Sequence, residues 1–160
     1  MRKALFLDRD GVLNKEVGRY TFKPEEFEVL PEVVPALKLA RTKGYLLIVI
    51  SNQGGIARGE FTKKDVEACH TKLTEHLLAN GIELDEVYYC PHYDGVGKCL
   101  CRKPGSLMLE KAMARFSVNA DNSYFIGDSP RDQVAALNAG VHPVAVQSNE
   151  GILKFVQQLP

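Results

Sequence analysis

Asp8 and Asp10 stand one residue apart, directly after a short apolar run and directly before Gly11. Two carboxylates on one turn can divide the work of phosphoryl transfer. One attacks phosphorus and carries the group as an acyl phosphate; the other protonates the departing alkoxide and later takes a proton from attacking water. Asp8 reads as the nucleophile and Asp10 as the acid and base. Aspartates at a strand end are also ordinary turn chemistry, so the reading depends on what else reaches the same place. Ser51-Asn52-Gln53 ends a second apolar run, Arg102-Lys103 follows a third after a loop, and Asp128 ends a fourth. Three converging carboxylates repel one another unless a cation lies among them, and hard oxygen donors favour magnesium, which commonly shares its shell with substrate phosphate. Lys103 would offset charge on the non-bridging oxygens. The Ser51 hydroxyl and the Asn52 and Gln53 backbone amides would cradle the same group.

A second constellation is softer. Cys90-Pro91-His92 and Cys99-Leu100-Cys101 place three thiols and an imidazole within twelve residues. That is the ligand set of a Cys₃His zinc site, structural because no coordination position is left open. The loop runs straight into Arg102 and Lys103, so fixing it would hold both cations over a phosphate. Cys69 lies on an apolar helical stripe and reads as core. His70, His76 and His142 have no carboxylate or thiol nearby in sequence and read as surface or edge residues.

Positioning these groups requires strands that end together. Ala4–Leu7, Tyr45–Ile50, Glu86–Tyr89, Ser123–Ile126 and Pro143–Val146 are short runs rich in branched and aromatic residues, and they predict five buried strands. Between them, helical spacing appears at Val34, Leu37 and Ala40, and at Val66, Cys69, Leu73 and Leu77, with Thr62 and Asp65 resembling a capping box. Further helices are expected at about 106–116, 130–139 and 152–158. Alternating strands and helices imply right-handed crossovers and a mostly parallel sheet covered on both faces, so the fold class is α/β. Ligands bind such sheets beyond the carboxyl ends of the strands, where the polar clusters fall.

Composition narrows the partners. Twenty basic and twenty acidic residues cancel in 160, so no positive field favours nucleic acid or anionic membrane. The apolar run after Lys3 stops at Asp8, short of the roughly 7–15 residues of a secretory core, and no segment approaches the roughly 20 needed to span a bilayer. The expectation is a cytoplasmic monomer acting on a small phosphorylated metabolite, a reducing setting in which clustered thiols read as metal ligands.

Four segments carry a family resemblance: Phe6-Leu7-Asp8-Arg9-Asp10-Gly11-Val12-Leu13-Asn14, Ser51-Asn52-Gln53-Gly54-Gly55-Ile56-Ala57-Arg58-Gly59, Cys101-Arg102-Lys103-Pro104, and Ile126-Gly127-Asp128-Ser129 with Asp132. Together they resemble the motifs of haloacid dehalogenase superfamily phosphatases, more narrowly the D-glycero-D-manno-heptose 1,7-bisphosphate and histidinol-phosphate phosphatase group. The resemblance implies one Rossmann-like three-layer domain over residues 1–160, without a large cap; the group has members with and without a zinc loop, so the loop at 90–101 rests on the four ligands themselves. It implies Asp8 as nucleophile, Asp10 as acid and base, and Ser51 and Lys103 on the phosphoryl group. Asp8, the Asp10 carbonyl and Asp128 would hold magnesium. Arg102 would help select the substrate, with further contacts at Asn14, Asn52, Gln53 and Gly54. The implied reaction removes the 7-phosphate of the heptose bisphosphate; histidinol phosphate is the alternative substrate.

Three departures bear on this. Ser51 stands where many heptose-group members have Thr, Ser129 where Lys or Arg often follows the metal-binding aspartate, and Gly105-Ser106-Leu107-Met108 where a further Pro-Gly often precedes Met. Arg9 is equally a substrate contact or a counter-charge for its neighbours, and Arg58 equally a substrate contact or a loop brace. Asp132 is spaced to orient Lys103 or the metal shell, and Tyr20, Phe22 and Lys23 read as anchors of the long first loop. A phospho-acceptor signalling module is the competing class. It predicts a lysine at the end of the fifth strand, where Gln147-Ser148 stands, and a P-loop kinase is disfavoured because no G-x-x-x-x-G-K-[ST] occurs.

Overall fold

The computed structural model describes residues 1–160. Strands and helices alternate: β1 (Lys3–Leu7), α1 (Val33–Thr42), β2 (Tyr45–Asn52), α2 (Lys63–Ala79), β3 (Glu86–Cys90), α3 (Leu107–Phe116), β4 (Tyr124–Gly127), α4 (Pro130–Asn138), β5 (His142–Ala145) and α5 (Leu153–Gln158). Each expected element is present, with ends displaced by a few residues, but not all five strands are buried as expected: β5 is an edge strand exposed at His142, Pro143 and Ala145, and β3, at the other edge, is only partly buried up to Cys90. The largest extension is in β2, which continues through Ser51 and Asn52 because their backbones pair with Tyr89 and Cys90 of β3. Hydrogen-bonded pairing needs no apolar side chain, so hydrophobic patterning stops short of it.

All five strands run parallel in the order β3-β2-β1-β4-β5. Period-two alternation divides the central strands between two cores. Leu5, Leu7, Leu47 and Val49 face one way, against Ala36, Leu37 and Ala40 of α1, Leu73 and Leu77 of α2 and Val156 of α5. Ala4, Phe6, Leu46, Ile48 and Ile50 face the other way, against Met108, Leu109 and Ala112 of α3 and Ala135 and Ala136 of α4. The result is three layers, with α1, α2 and α5 on one face and α3 and α4 on the other.

Chain order therefore reverses at β1: the chain moves outward through β2 and β3, then returns to β4 on the opposite side. Helices on opposite faces leave a crevice beyond the carboxyl ends of β1 and β4, the switch point of such sheets. No second sheet is inserted between strands, and no helix is long and apolar enough to cross a membrane.

Candidate active site

Asp8 leaves the end of β1 with its backbone N–H donating to the Ile126 carbonyl of β4 at 3.0 Å, so the neighbouring strand fixes where the carboxylate starts. Lys103, reaching in from the loop after β3, donates from Nζ to Asp8 Oδ1 at 2.8 Å and to the Ile50 carbonyl at 3.0 Å. Its third partner is Asp132 at 2.6 Å. Burial alone would lower this ammonium, but the two carboxylates override it and raise its pKa, keeping it charged. Asp132 also caps α4, accepting from Ser129 N at 3.1 Å in a capping box. It fits there because residue 127 is glycine: a Cβ at Gly127 would lie 2.3 Å from the Asp132 side chain.

Burial pushes the Asp8 carboxyl up to about 8, although Lys103 pulls the other way. Asp128 lies close by, its carboxylate over the backbone of Gly11, where φ is +82° and a Cβ would meet Asp128 Oδ2 at 2.1 Å. Ligand oxygens of Asp8, Asp128 and Asp132 lie within 4.8 Å of one another. Asp128 forms no hydrogen bond or ion pair with the protein. A desolvated carboxylate beside an unpartnered one, both oxygen donors, is a set that a hard divalent cation satisfies.

The Asp10 carboxylate is held differently. Oδ1 accepts from Arg9 Nη2 at 2.9 Å, Arg9 Nε at 3.3 Å and Asn14 Nδ2 at 3.0 Å, and Oδ2 accepts from Gln53 Nε2 at 3.0 Å. Burial would raise its pKa, but the Arg9 charge and these bonds hold it below the ordinary value. Arg9 is therefore a buried counter-charge and not a surface substrate contact. His70, expected at the surface, is buried on α2 with its ring nitrogen 3.4 Å from Arg9 Nη1. Sequence spacing missed this pair because the partner is 61 residues away.

These groups open into a cavity of about 430 Å³ lined by Asp8, Asp10, Asn52, Lys103, Asp128 and Asp132, with Glu16, Arg19 and Tyr20 from the first loop and Ser129 and Arg131 from the start of α4. Asn52 also braces Lys103, exchanging side-chain hydrogen bonds with its backbone at 3.0 and 3.2 Å. Several expected substrate contacts lie behind the wall. Asn14 is fully buried against Asp10, and Gln53 is buried with Nε2 also donating to Ser51 Oγ at 2.9 Å. The Gln53 backbone amide donates to the Cys90 carbonyl at 2.7 Å, so it is not free to cradle a phosphate. Gly54 lies under Arg102, whose Nη1 donates to the His92 carbonyl at 3.1 Å. Arg58 pairs with Glu60 at 3.1 Å, bracing its own loop. Tyr20 and Phe22 both pack on Phe61, as anchors of the first loop should. Glu16, Arg19 and Arg131 reach the cavity without any spacing signal in the sequence.

Beside the cavity, Cys90, His92, Cys99 and Cys101 converge. Cys90 Sγ lies 3.4 Å from His92 Nδ1, 3.7 Å from Cys99 Sγ and 3.1 Å from Cys101 Sγ, and His92 Nδ1 lies 3.2 Å from Cys101 Sγ. A tetrahedron with zinc–ligand bonds of about 2.0–2.3 Å has edges of roughly 3.4–3.8 Å, so these four ligands fit zinc after a small expansion. Burial and the hydrogen bond with Cys101 push the Cys90 thiol up, whereas the Arg102 amide and the neighbouring thiols hold Cys99 below its ordinary value despite burial.

A family model described as HAD-hydrolase-like matches residues 100–152. Over 150 residues the chain is 41% identical to the D-glycero-beta-D-manno-heptose-1,7-bisphosphate 7-phosphatase of Haemophilus ducreyi, spanning 88% of this chain and 80% of that protein. It is 36% identical over 166 residues to the D-glycero-alpha-D-manno-heptose-1,7-bisphosphate 7-phosphatase of Photorhabdus laumondii, spanning 94% and 90%. The crystal structure of a D,D-heptose 1,7-bisphosphate phosphatase from B. bronchiseptica, complexed with magnesium and phosphate, is 34% identical, with a TM-score of 0.86 over 99% of this chain and 88% of that one.

Proposed function

The chain belongs to the heptose-1,7-bisphosphate 7-phosphatase family of HAD-like hydrolases, and on that premise we propose that it removes the 7-phosphate of D-glycero-D-manno-heptose 1,7-bisphosphate. The observation that carries the reading is the Asp8–Lys103–Asp132 chain of buried charges beside the unpartnered Asp128. It combines a nucleophile, a fixed cation for non-bridging oxygens and a carboxylate suited to a metal.

In the first half-reaction an Asp8 oxygen bonds to phosphorus, the bond from phosphorus to the sugar oxygen breaks, and Asp10 gives that oxygen a proton. In the second, water bonds to phosphorus and gives a proton to Asp10, the bond to Asp8 breaks, and orthophosphate leaves. Lys103 meets charge on the non-bridging oxygens throughout. Ser51 accepts its bond from Gln53, which leaves its hydroxyl hydrogen to donate. Asp8, the Asp10 carbonyl and Asp128 would hold magnesium, which would supply a Lewis acid for the phosphate oxygens. Asn52 lines the cavity and Arg102, held outside its lining by the cysteine loop, would turn towards the substrate for recognition, with Gly54 beneath Arg102 and Asn14 and Gln53 bracing Asp10 from behind. Cys90, His92, Cys99 and Cys101 would hold a structural zinc that keeps Arg102 in place. We read residues 1–160 as one phosphatase domain, monomeric and cytoplasmic.

The test is phosphate release, with magnesium, from both anomers of the heptose bisphosphate and from histidinol phosphate. Fast turnover of a heptose anomer, abolished by Asp8→Asn, is the expected result. Faster turnover of histidinol phosphate would reassign the substrate and leave the chemistry standing.

A further inference from the structure

Arg9 has no exposed surface, although it stands between two residues that line the cavity. Its guanidinium turns away from the substrate and is engaged on several sides. Nε and Nη2 grip Asp10 Oδ1, Nη2 donates also to the Thr21 carbonyl at 2.8 Å, and Nη1 meets His70 Nε2. Arginine has donors only, so His70 must accept through Nε2 and be neutral there. Burial and the Arg9 charge both favour that state, holding the imidazole down to about 4. The arrangement joins three elements that sequence keeps apart: the turn after β1, the first loop at Thr21, and α2 at His70.

Its effect falls unequally on the two oxygens of Asp10. Oδ1 takes three hydrogen bonds, counting Asn14, and has no capacity left. Oδ2 takes one, from the Gln53 amide, whose own carbonyl oxygen is buried without a partner. The Asp10 side chain is 25% exposed. We propose that Arg9 is a positioning residue: seated on Thr21 and His70, it anchors Asp10 Oδ1 from behind, with Asn14, and presents Oδ2 as the oxygen that exchanges a proton with leaving group and water. This rests on the reading of Asp10 as acid and base. The Arg9 side chain touches neither substrate nor a reacting atom; its backbone N–H donates to Asp8 Oδ1 at 2.8 Å, a contact that substitution of the side chain leaves in place.

A positioning role has a signature that a merely structural one lacks. Arg9→Lys keeps the charge but cannot grip one oxygen with two nitrogens while holding Thr21 and His70. Its kcat on the heptose bisphosphate should fall about a hundredfold, within the range of a lost general acid or base, while KM stays within about twofold. On p-nitrophenyl phosphate, whose leaving group departs without a proton, the first step should survive and the second should slow. The variant should then release a burst of nitrophenolate approaching one per chain before slow turnover, larger than any burst of the wild type. His70→Ala, which removes the seat without touching Asp10, should give the same pattern with a loss of about tenfold, and decides the matter if Arg9→Lys does not fold. Wild-type kcat in a folded variant, or equal losses on both substrates without a burst, would overturn the proposal. Were the wild type itself inactive on every substrate, the phosphatase reading would be the one to fail.

Discussion

At the scale of single residues, the site is built on buried charges that stabilise one another only as a set. Lys103 has two carboxylate partners, and removing Asp132 leaves it paired with Asp8 but takes away one charge-assisted hydrogen bond, about 1.5–3 kcal/mol, and the cap of α4, about 1 kcal/mol. Asp132→Ala should therefore lower the free energy of unfolding by roughly 3 kcal/mol and reduce kcat about tenfold or more. Chemical denaturation alongside steady-state assay checks both, and a variant as stable as the wild type would sink the argument. His70 supplies a prediction in pH. The folded chain holds its imidazole neutral down to about 4, whereas the unfolded chain takes a proton near the ordinary 6.5. The contribution of neutral His70 is then complete above about pH 6.5 and is lost as pH falls towards 4, by up to roughly 1.4 kcal/mol per unit. Thermal unfolding from pH 7.5 to 4.5 should show a steeper fall in Tm for the wild type than for His70→Gln; parallel curves would show that His70 carries no such burden.

At the scale of elements, two loops bring charge to the strand ends by different means. Lys103 is held by the sheet side: Asn52 grips its backbone from the end of β2, and its ammonium rests on Asp8, Asp132 and the Ile50 carbonyl. Arg102 rests on the cysteine loop through the His92 carbonyl. Loss of the proposed zinc should therefore displace Arg102 far more than Lys103. Cys101→Ser should bind less than one zinc per chain by atomic absorption and raise KM about tenfold, with a smaller change in kcat. An equal fall in kcat at constant KM would mean that the loop serves the chemistry directly. The start of α4 acts as a second such device. Asp132 closes the capping box and meets Lys103 with the same carboxylate group, so helix register and cation position are fixed together.

At the scale of the whole molecule, β1 and β2 are buried on both faces, and the stability of the sheet rests on their side chains. Leu47, fully buried in the centre of β2, should cost about 2–5 kcal/mol when truncated to Ala, with an unchanged denaturant slope if the native state is otherwise intact. Sedimentation should find a single chain, with specific activity constant on dilution; activity that falls on dilution would point to a shared site. The sequence by itself determined the α/β class, the five strands, Asp8, Asp10 and Asp128 at strand ends with Lys103 in the loop after β3, and the cysteine and histidine side chains that converge in that loop. Those signals are local: strand and helix periods repeat over a few residues, Asp-x-Asp shares one turn, and C-x-H with C-x-C closes within twelve residues. Only the tertiary structure decided that Arg9 turns inward to His70, that Asn14 and Gln53 brace Asp10 behind the cavity wall, that the Gln53 amide is engaged by Cys90, and that Arg19 and Arg131 reach the cavity. Most of those facts depend on which elements become neighbours: Arg9 meets His70 because α2 covers that face of the sheet, and Gln53 meets Cys90 because β2 pairs with β3. That choice is made when the two cores are buried together, and no period or motif along the chain records the distance between residues it brings into contact.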